Sequence, residues 1–135
     1  MSAIITAVLL GFGVWGAAAA SPELQFTSAP SAMPVGDPVR GADAYEGSCG
    51  ACHSLDANRI GPAHRGVVER VAGTAPDFDY SPALKAARIT WTAEKLDRWL
   101  TDPQALVKGA RMGFRLSDAQ KRADVIAYLV REGAE

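Results

Sequence analysis

The chain opens on a long apolar run, passes through a Pro- and Ser-rich stretch, and only then takes up the mixed apolar and polar pattern of a folded domain. From Ser2 to Ala20 no side chain is charged, and Ala3 to Gly16 is strongly apolar. Such a run is an export signal or a membrane anchor. Ala18-Ala19-Ala20 before Ser21 has the small-x-small form of a secretory cleavage site, which favours a removable signal peptide over residues 1–20. Against removal, no Lys or Arg precedes the run, and its length of about nineteen residues is close to what a hydrocarbon core needs. Cleavage is the expectation and an uncleaved anchor the alternative; either puts the rest of the chain outside the cytoplasm. Residues 21–37, with Pro22, Pro30 and Pro34 among Ser, Thr and Ala, read as a flexible linker.

Residues 38–135 carry helical signals. Asp37-Pro38 pairs an N-cap with proline at the first helical position and predicts a short helix through Tyr45, with Gly41 and Tyr45 one turn apart on one face. Ser81-Pro82 repeats the signal and predicts a helix to Ala87. Thr92 caps a third, to about Thr101, whose Leu96, Trp99 and Leu100 recur at helical spacing; Pro103 ends it. From Gln104 to Phe114 there is no amphipathic period. Ser117-Asp118-Ala119-Gln120 reads as a capping box for a last helix with an apolar stripe at Val125, Ile126, Tyr128 and Leu129, ending near Glu132-Gly133. No strand pattern of useful length appears. The expected fold is all-α, about four short helices joined by long loops, with too few large residues to make a good core unaided. A buried apolar cofactor would supply the missing surface.

The chemistry is concentrated at Cys49-Gly50-Ala51-Cys52-His53. Two thiols three positions apart can each add to one vinyl group of a porphyrin, and a histidine directly after the second can then serve as an axial ligand to the iron. Three other readings compete. A thioredoxin-like redox pair would sit at a strand-to-helix junction, which this pattern lacks. A structural zinc site needs a fourth ligand, for which only His64 remains among Cys and His. A disulfide between the two would close a very small loop and leave His53 unexplained. Gly61-Pro62 and Gly66 demand a fixed loop after the motif, and Pro62 is the candidate carbonyl for the second ring nitrogen of His53. Met112, alone in a loop, would on local grounds be packing. All 14 Lys and Arg and 13 of the 15 acids lie beyond Asp37, so the domain is nearly neutral. Nothing points to nucleic acid, and any docking must rely on local patches.

Taken together, these residues resemble a class I c-type cytochrome of the mitochondrial and alphaproteobacterial kind. The likeness runs from about Pro38 to Glu132: Gly41 with Tyr45, the Cys49–His53 motif, Ile60 to Gly66, Phe78 to Leu84, Ile89 to Thr92, Asp102-Pro103, Gly109 to Phe114, and Asp124 to Leu129. So many matches in order are far more specific than the motif alone. The resemblance implies one haem c, covalent through Cys49 and Cys52, with His53 and Met112 as metal ligands. It implies that Pro62 orients His53, that Arg70, Tyr80 and Trp91 hold a haem propionate, and that Gly41 and Tyr45 form the contact between first and last helices.

Three positions depart from the family pattern. Lys108 stands where proline is usual, which predicts a less stiff loop and a more easily displaced Met112. Ala110 replaces a hydroxyl near a propionate. His64 replaces leucine beside the haem; the expectation is either a partly buried imidazole hydrogen-bonded to backbone or one whose protonation near neutral pH shifts the haem potential. The resemblance implies a monomeric electron carrier of the periplasm, passing one electron through an exposed haem edge and not an enzyme. Arg59, Arg111, Arg115 and Lys108 would form a basic patch there for redox partners such as quinol-cytochrome c reductase, a terminal oxidase or a periplasmic dehydrogenase. A membrane-tethered cytochrome, a permanent haem subunit of an oxidase or dehydrogenase, and a peroxidase-like enzyme are the alternatives.

Overall fold

The computed structural model describes residues 32–134. The apolar run of residues 1–20 and most of the expected linker lie outside the described residues. Five helices follow in order: α1 (Pro38–Cys49), α2 (Pro82–Ala87), α3 (Ala93–Thr101), α4 (Pro103–Leu106) and α5 (Ala119–Gly133). Among the described residues there is no strand, only a single antiparallel bridge between Val71 and Thr90.

The cap-and-proline signals work as expected. The Asp37 carboxylate accepts from the backbone N–H of Val39 and Arg40, Ser81 Oγ from that of Leu84, and Thr92 Oγ1 from that of Lys95. Three expectations need correcting. Helix α1 does not stop at Tyr45 but runs on to Cys49, directly into the cysteine motif. Pro103 ends α3 and also opens α4, because Asp102 caps the new turn by accepting from Gln104 and Ala105 N–H, so the described residues hold five helices where about four are expected. The cap of α5 is Asp118, which accepts from Lys121 N–H, and not Ser117; Gln120 therefore sits one position too early for the box. Its amide turns instead to the Val35 carbonyl (2.8 Å) and the Asp124 carboxylate (3.0 Å).

The central contact is α1 against α5. A Cβ on Gly41 would lie 2.0 Å from the Asp124 carbonyl oxygen, so only glycine lets the two backbones cross this closely. One turn on, Tyr45 packs against Tyr128 with ring centroids 5.3 Å apart. The buried Asp124 ties the N-terminus of α1 to the same face of α5. It accepts from Asp37 N–H at 2.7 Å and from two guanidinium nitrogens of Arg40, each at 2.9 Å. Gly36 also lies against α5, where a Cβ would meet the Ala123 carbonyl. The end of the stretch expected as linker is thus laid on the domain, with Met33 packed against the core. Helix α3 joins α5 through Arg122, whose Nε donates to Asp97 at 2.7 Å. Leu96, Trp99 and Leu100 are buried as the spacing predicts.

Candidate haem site

The cysteine motif is an extra turn wound onto the end of α1. The N–H groups of Cys52 and His53 both donate to the Cys49 carbonyl, at 3.0 and 2.8 Å. Cys49 and Cys52 thereby stand one turn apart, the first buried and the second exposed, and both thiols are free. Burial, and secondarily Cys52, pushes the Cys49 thiol up to about 11, which leaves it protonated at neutral pH.

The loop that follows is folded back onto His53. Gly61 N–H donates to the Cys52 carbonyl at 2.8 Å, and Arg59 Nη1 donates to that of Gly50 at 2.6 Å. At Gly61 a Cβ would fall 2.0 Å from His53 Cε1, which makes glycine obligatory under the imidazole. The next residue delivers the expected acceptor: His53 Nδ1 lies 2.9 Å from the Pro62 carbonyl oxygen. A carbonyl can only accept, so Nδ1 carries the proton and Nε2 keeps a lone pair. Burial holds His53 below the usual imidazole range, the Pro62 bond opposing it, and the ring is neutral as a metal ligand must be.

His64 stacks on His53, centroids 4.0 Å apart and planes 20° from parallel, with Nδ1 3.1 Å from Tyr45 Oη. Burial, helped by His53 and Arg70, pushes it down to about 3. Held so low it is uncharged near neutral pH, so of the two expectations the hydrogen-bonded imidazole is the one supported, with the Tyr45 hydroxyl in place of backbone as its partner. Among the described residues no group of three or more Cys, His, Asp or Glu side chains is placed to hold a metal ion, so the zinc reading finds no ligand set.

All eight residues expected to form the site, Cys49, Cys52, His53, Pro62, Arg70, Tyr80, Trp91 and Met112, line one cleft of about 480 Å³. The rest of its wall is mainly apolar, with Leu96, Trp99 and Leu129 at the helix side. Arg70 is anchored through Nη2 to the Ala63 carbonyl (3.0 Å) and through Nη1 to that of Arg65 (3.3 Å). A guanidinium has five N–H donors, so these bonds leave capacity for a carboxylate. Buried Tyr80 accepts from Ala75 N–H through its hydroxyl at 3.3 Å. Trp91 is held by backbone bonds to Glu69 and Arg70 and packs on Trp99 at 5.1 Å.

Gln104, to which no sequence pattern draws attention, grips the loop that carries Met112. Its Nε2 donates to the carbonyls of Ala110 (2.8 Å) and Met112 (3.0 Å), and its Oε1 accepts from Gly109 N–H (3.1 Å). Two of the four residues of the expected basic patch, Arg111 and Arg115, are paired with carboxylates. Arg111 donates to Asp79, through the carbonyl at 2.6 Å, and Arg115 lies 2.8 Å from Asp102. Apolar Ile60 and Phe114 are exposed at the cleft.

Volume, apolar wall, paired thiols and an imidazole lone pair suit a porphyrin held by two thioether bonds, which makes this a helical c-type haem protein. The comparisons agree. The family model described as Cytochrome c matches residues 38–131. A cytochrome c2 of Rhodomicrobium vannielii is 40% identical over 106 residues, covering 76% of this chain and 84% of that one. A cytochrome c2 of Rhodopila globiformis is 41% identical over 99 residues, covering 71% and 93%. Among solved structures, cytochrome cH from Methylobacterium extorquens superposes with a TM-score of 0.68 at 40% identity, covering 71% of this chain and 99% of that one. The chain belongs to the cytochrome c family: it is a single-haem electron carrier, with one haem c bonded through Cys49 and Cys52.

Proposed function

We propose that His53 and Met112 are the two axial ligands, and that the protein is a periplasmic outer-sphere electron shuttle rather than an enzyme. The observation that carries this reading is the single cleft that gathers the two thiols, the Nε2 lone pair of His53 and the thioether of Met112. Haem supplies one-electron chemistry when bound. The chain fixes the imidazole tautomer through Pro62, offers a soft sulfur as second donor, and surrounds both with apolar side chains that keep water out. Held by His53 and Met112 together, the haem iron would take both ligands from this chain and would offer electron transfer rather than a place for a substrate. Arg70, Tyr80 and Trp91, all on the cleft wall, are proposed to hold a propionate, Arg70 by charge and the other two as hydrogen-bond donors.

Partners are redox proteins, for which the chemistry admits a quinol-cytochrome c reductase, a terminal oxidase or a periplasmic dehydrogenase. The periplasm is favoured by the apolar run at residues 1–20, and no helix among the described residues is long and apolar enough to cross a membrane. Docking is proposed at the rim where Ile60 and Phe114 stand exposed among Arg59, Lys108, Arg111 and Arg115. Replacing the second ligand tests the reading. Met112→Leu should abolish the sulfur-to-ferric-iron charge-transfer absorption and lower the midpoint potential by on the order of a few tenths of a volt, within the ~0.8 V that axial ligands span. Retention of both would contradict it.

A further inference from the structure

The segment that carries Met112 is poorly held by its own backbone. Among the described residues, positions 108–115 make one backbone–backbone hydrogen bond, from Ala110 N–H to the Val107 carbonyl at 3.2 Å. Most of the segment is exposed, and Gly109 takes a positive φ of 89° that glycine alone adopts freely. Lys108 stands where a proline would have stiffened it. A loop of this composition should open readily, taking Met112 with it.

Gln104 supplies what the backbone lacks. It is fixed at its own backbone, since the Asp102 carboxylate that caps α4 accepts its N–H at 3.1 Å. Its side-chain amide then makes three bonds to the loop, two as donor and one as acceptor, reaching Gly109 on one side of Ala110 and Met112 on the other. The acceptor meets an N–H and both donors meet carbonyls, so only one orientation of the amide satisfies all three. Two further ties, Arg111 to the carbonyl and carboxylate of Asp79 and Arg115 to the Asp102 carboxylate, run through arginines whose side chains are 62% and 60% exposed and so contribute little. Two of the three Gln104 bonds, those to the Ala110 and Met112 carbonyls, are partly buried, and they are the stronger restraint.

We propose that Gln104 is a positioning residue for Met112: a side-chain clamp that replaces the missing proline and keeps the thioether seated. This rests on Met112 being the second ligand. It reverses the expectation, drawn from Lys108, that Met112 should be easily displaced. Gln104 acts on the loop and not on the haem, so its loss should show in ligand exchange rather than in haem attachment.

The test uses the ferric holoprotein and imidazole, which enters only when Met112 leaves. Gln104→Leu keeps the bulk and removes all three bonds. It should speed imidazole uptake by about tenfold or more, given that each lost bond is worth about a factor of ten at most. The sulfur-to-iron absorption should also fade at a lower temperature, well below global unfolding. Gln104→Asn, one methylene too short to span the loop, should behave the same way and serves if the leucine variant does not mature. Uptake within twofold of wild type in the variant that matures, or a loss of absorption that merely tracks global unfolding, would overturn the clamp. Met112→Leu separates the two claims. If it leaves the wild-type absorption intact, the ligand reading fails and the clamp with it; if it abolishes the absorption while the Gln104 variants exchange normally, the clamp alone is wrong.

Discussion

At the scale of single residues, His53 shows how much one side chain depends on neighbours distant in character but near in sequence. Pro62 sets its tautomer, Gly61 leaves room beneath its ring, and burial keeps it neutral. These were legible because the loop is short and glycine and proline restrict the backbone strongly. His64 was not. Its partner Tyr45 lies 19 residues away on α1, and the stack on His53 needs the loop's final path. With its imidazole pushed down to about 3, His64 remains uncharged across the neutral range. The His64→Leu protein should therefore keep the wild-type pH dependence of midpoint potential between about pH 6 and 8, as read by spectroelectrochemistry; a flattened slope would show that His64 titrates there. Gln104 was equally hidden, since its partners are backbone atoms whose directions no residue type announces.

At the scale of elements, the caps and prolines told where helices begin far better than where they end. Asp37-Pro38, Ser81-Pro82 and Thr92 each opened a helix where expected. The end of α1 is not legible in the sequence because the cysteine motif carries no apolar period, yet its backbone continues the helical turn. Proline at 103 reads as a stop in the sequence, although the same ring preorganises the first position of a helix. The α1–α5 crossing permits a sharp test. Gly41→Ala sets a methyl group against the Asp124 carbonyl, with backbone on both sides and nothing able to yield. It should cost about 1–3 kcal/mol in denaturant unfolding of the holoprotein, or more if the crossing cannot spread. A stability equal to wild type would mean that the helices do not approach so closely.

The Asp124 cluster belongs to the same crossing and gives it a pH dependence. Hydrogen bonds from Arg40 and from Asp37 N–H hold the Asp124 carboxyl well below the usual carboxylate range. A carboxyl depressed in the fold contributes stability above its unfolded value of about 3.9 and loses it as pH falls towards the folded value. Asp124→Asn should therefore be less stable than wild type at neutral pH, with the gap narrowing below about pH 4 in acid unfolding curves. A constant gap would place the effect in packing alone.

At the scale of the whole molecule, charge and surface decide how the carrier meets its partners. The sequence carries a formal net charge of -1, and the basic side chains near the cleft are partly neutralised by Asp79 and Asp102. At the proposed docking rim, exposed Ile60 and Phe114 would then weigh more than charge does. Electron transfer to an acidic partner should slow as salt rises, by less than about tenfold, the lower end of what electrostatic steering provides. A steep fall would mean that Arg111 and Arg115 leave their carboxylates on docking. The near-neutrality of the domain could be counted directly from the sequence; the pairing that blunts the patch could not, because Arg111 and Asp79 meet only in the fold.

The central claim is that the protein fills both axial positions from its own chain and so passes electrons without binding a substrate. Adding carbon monoxide to the ferrous holoprotein at neutral pH and following the visible spectrum tests it most directly. The account predicts an unchanged spectrum, with His53 and Met112 in place and no position open. Rapid and complete conversion to a carbonyl spectrum would contradict it and would make this a haem protein with a vacant site, suited to chemistry on a bound small molecule.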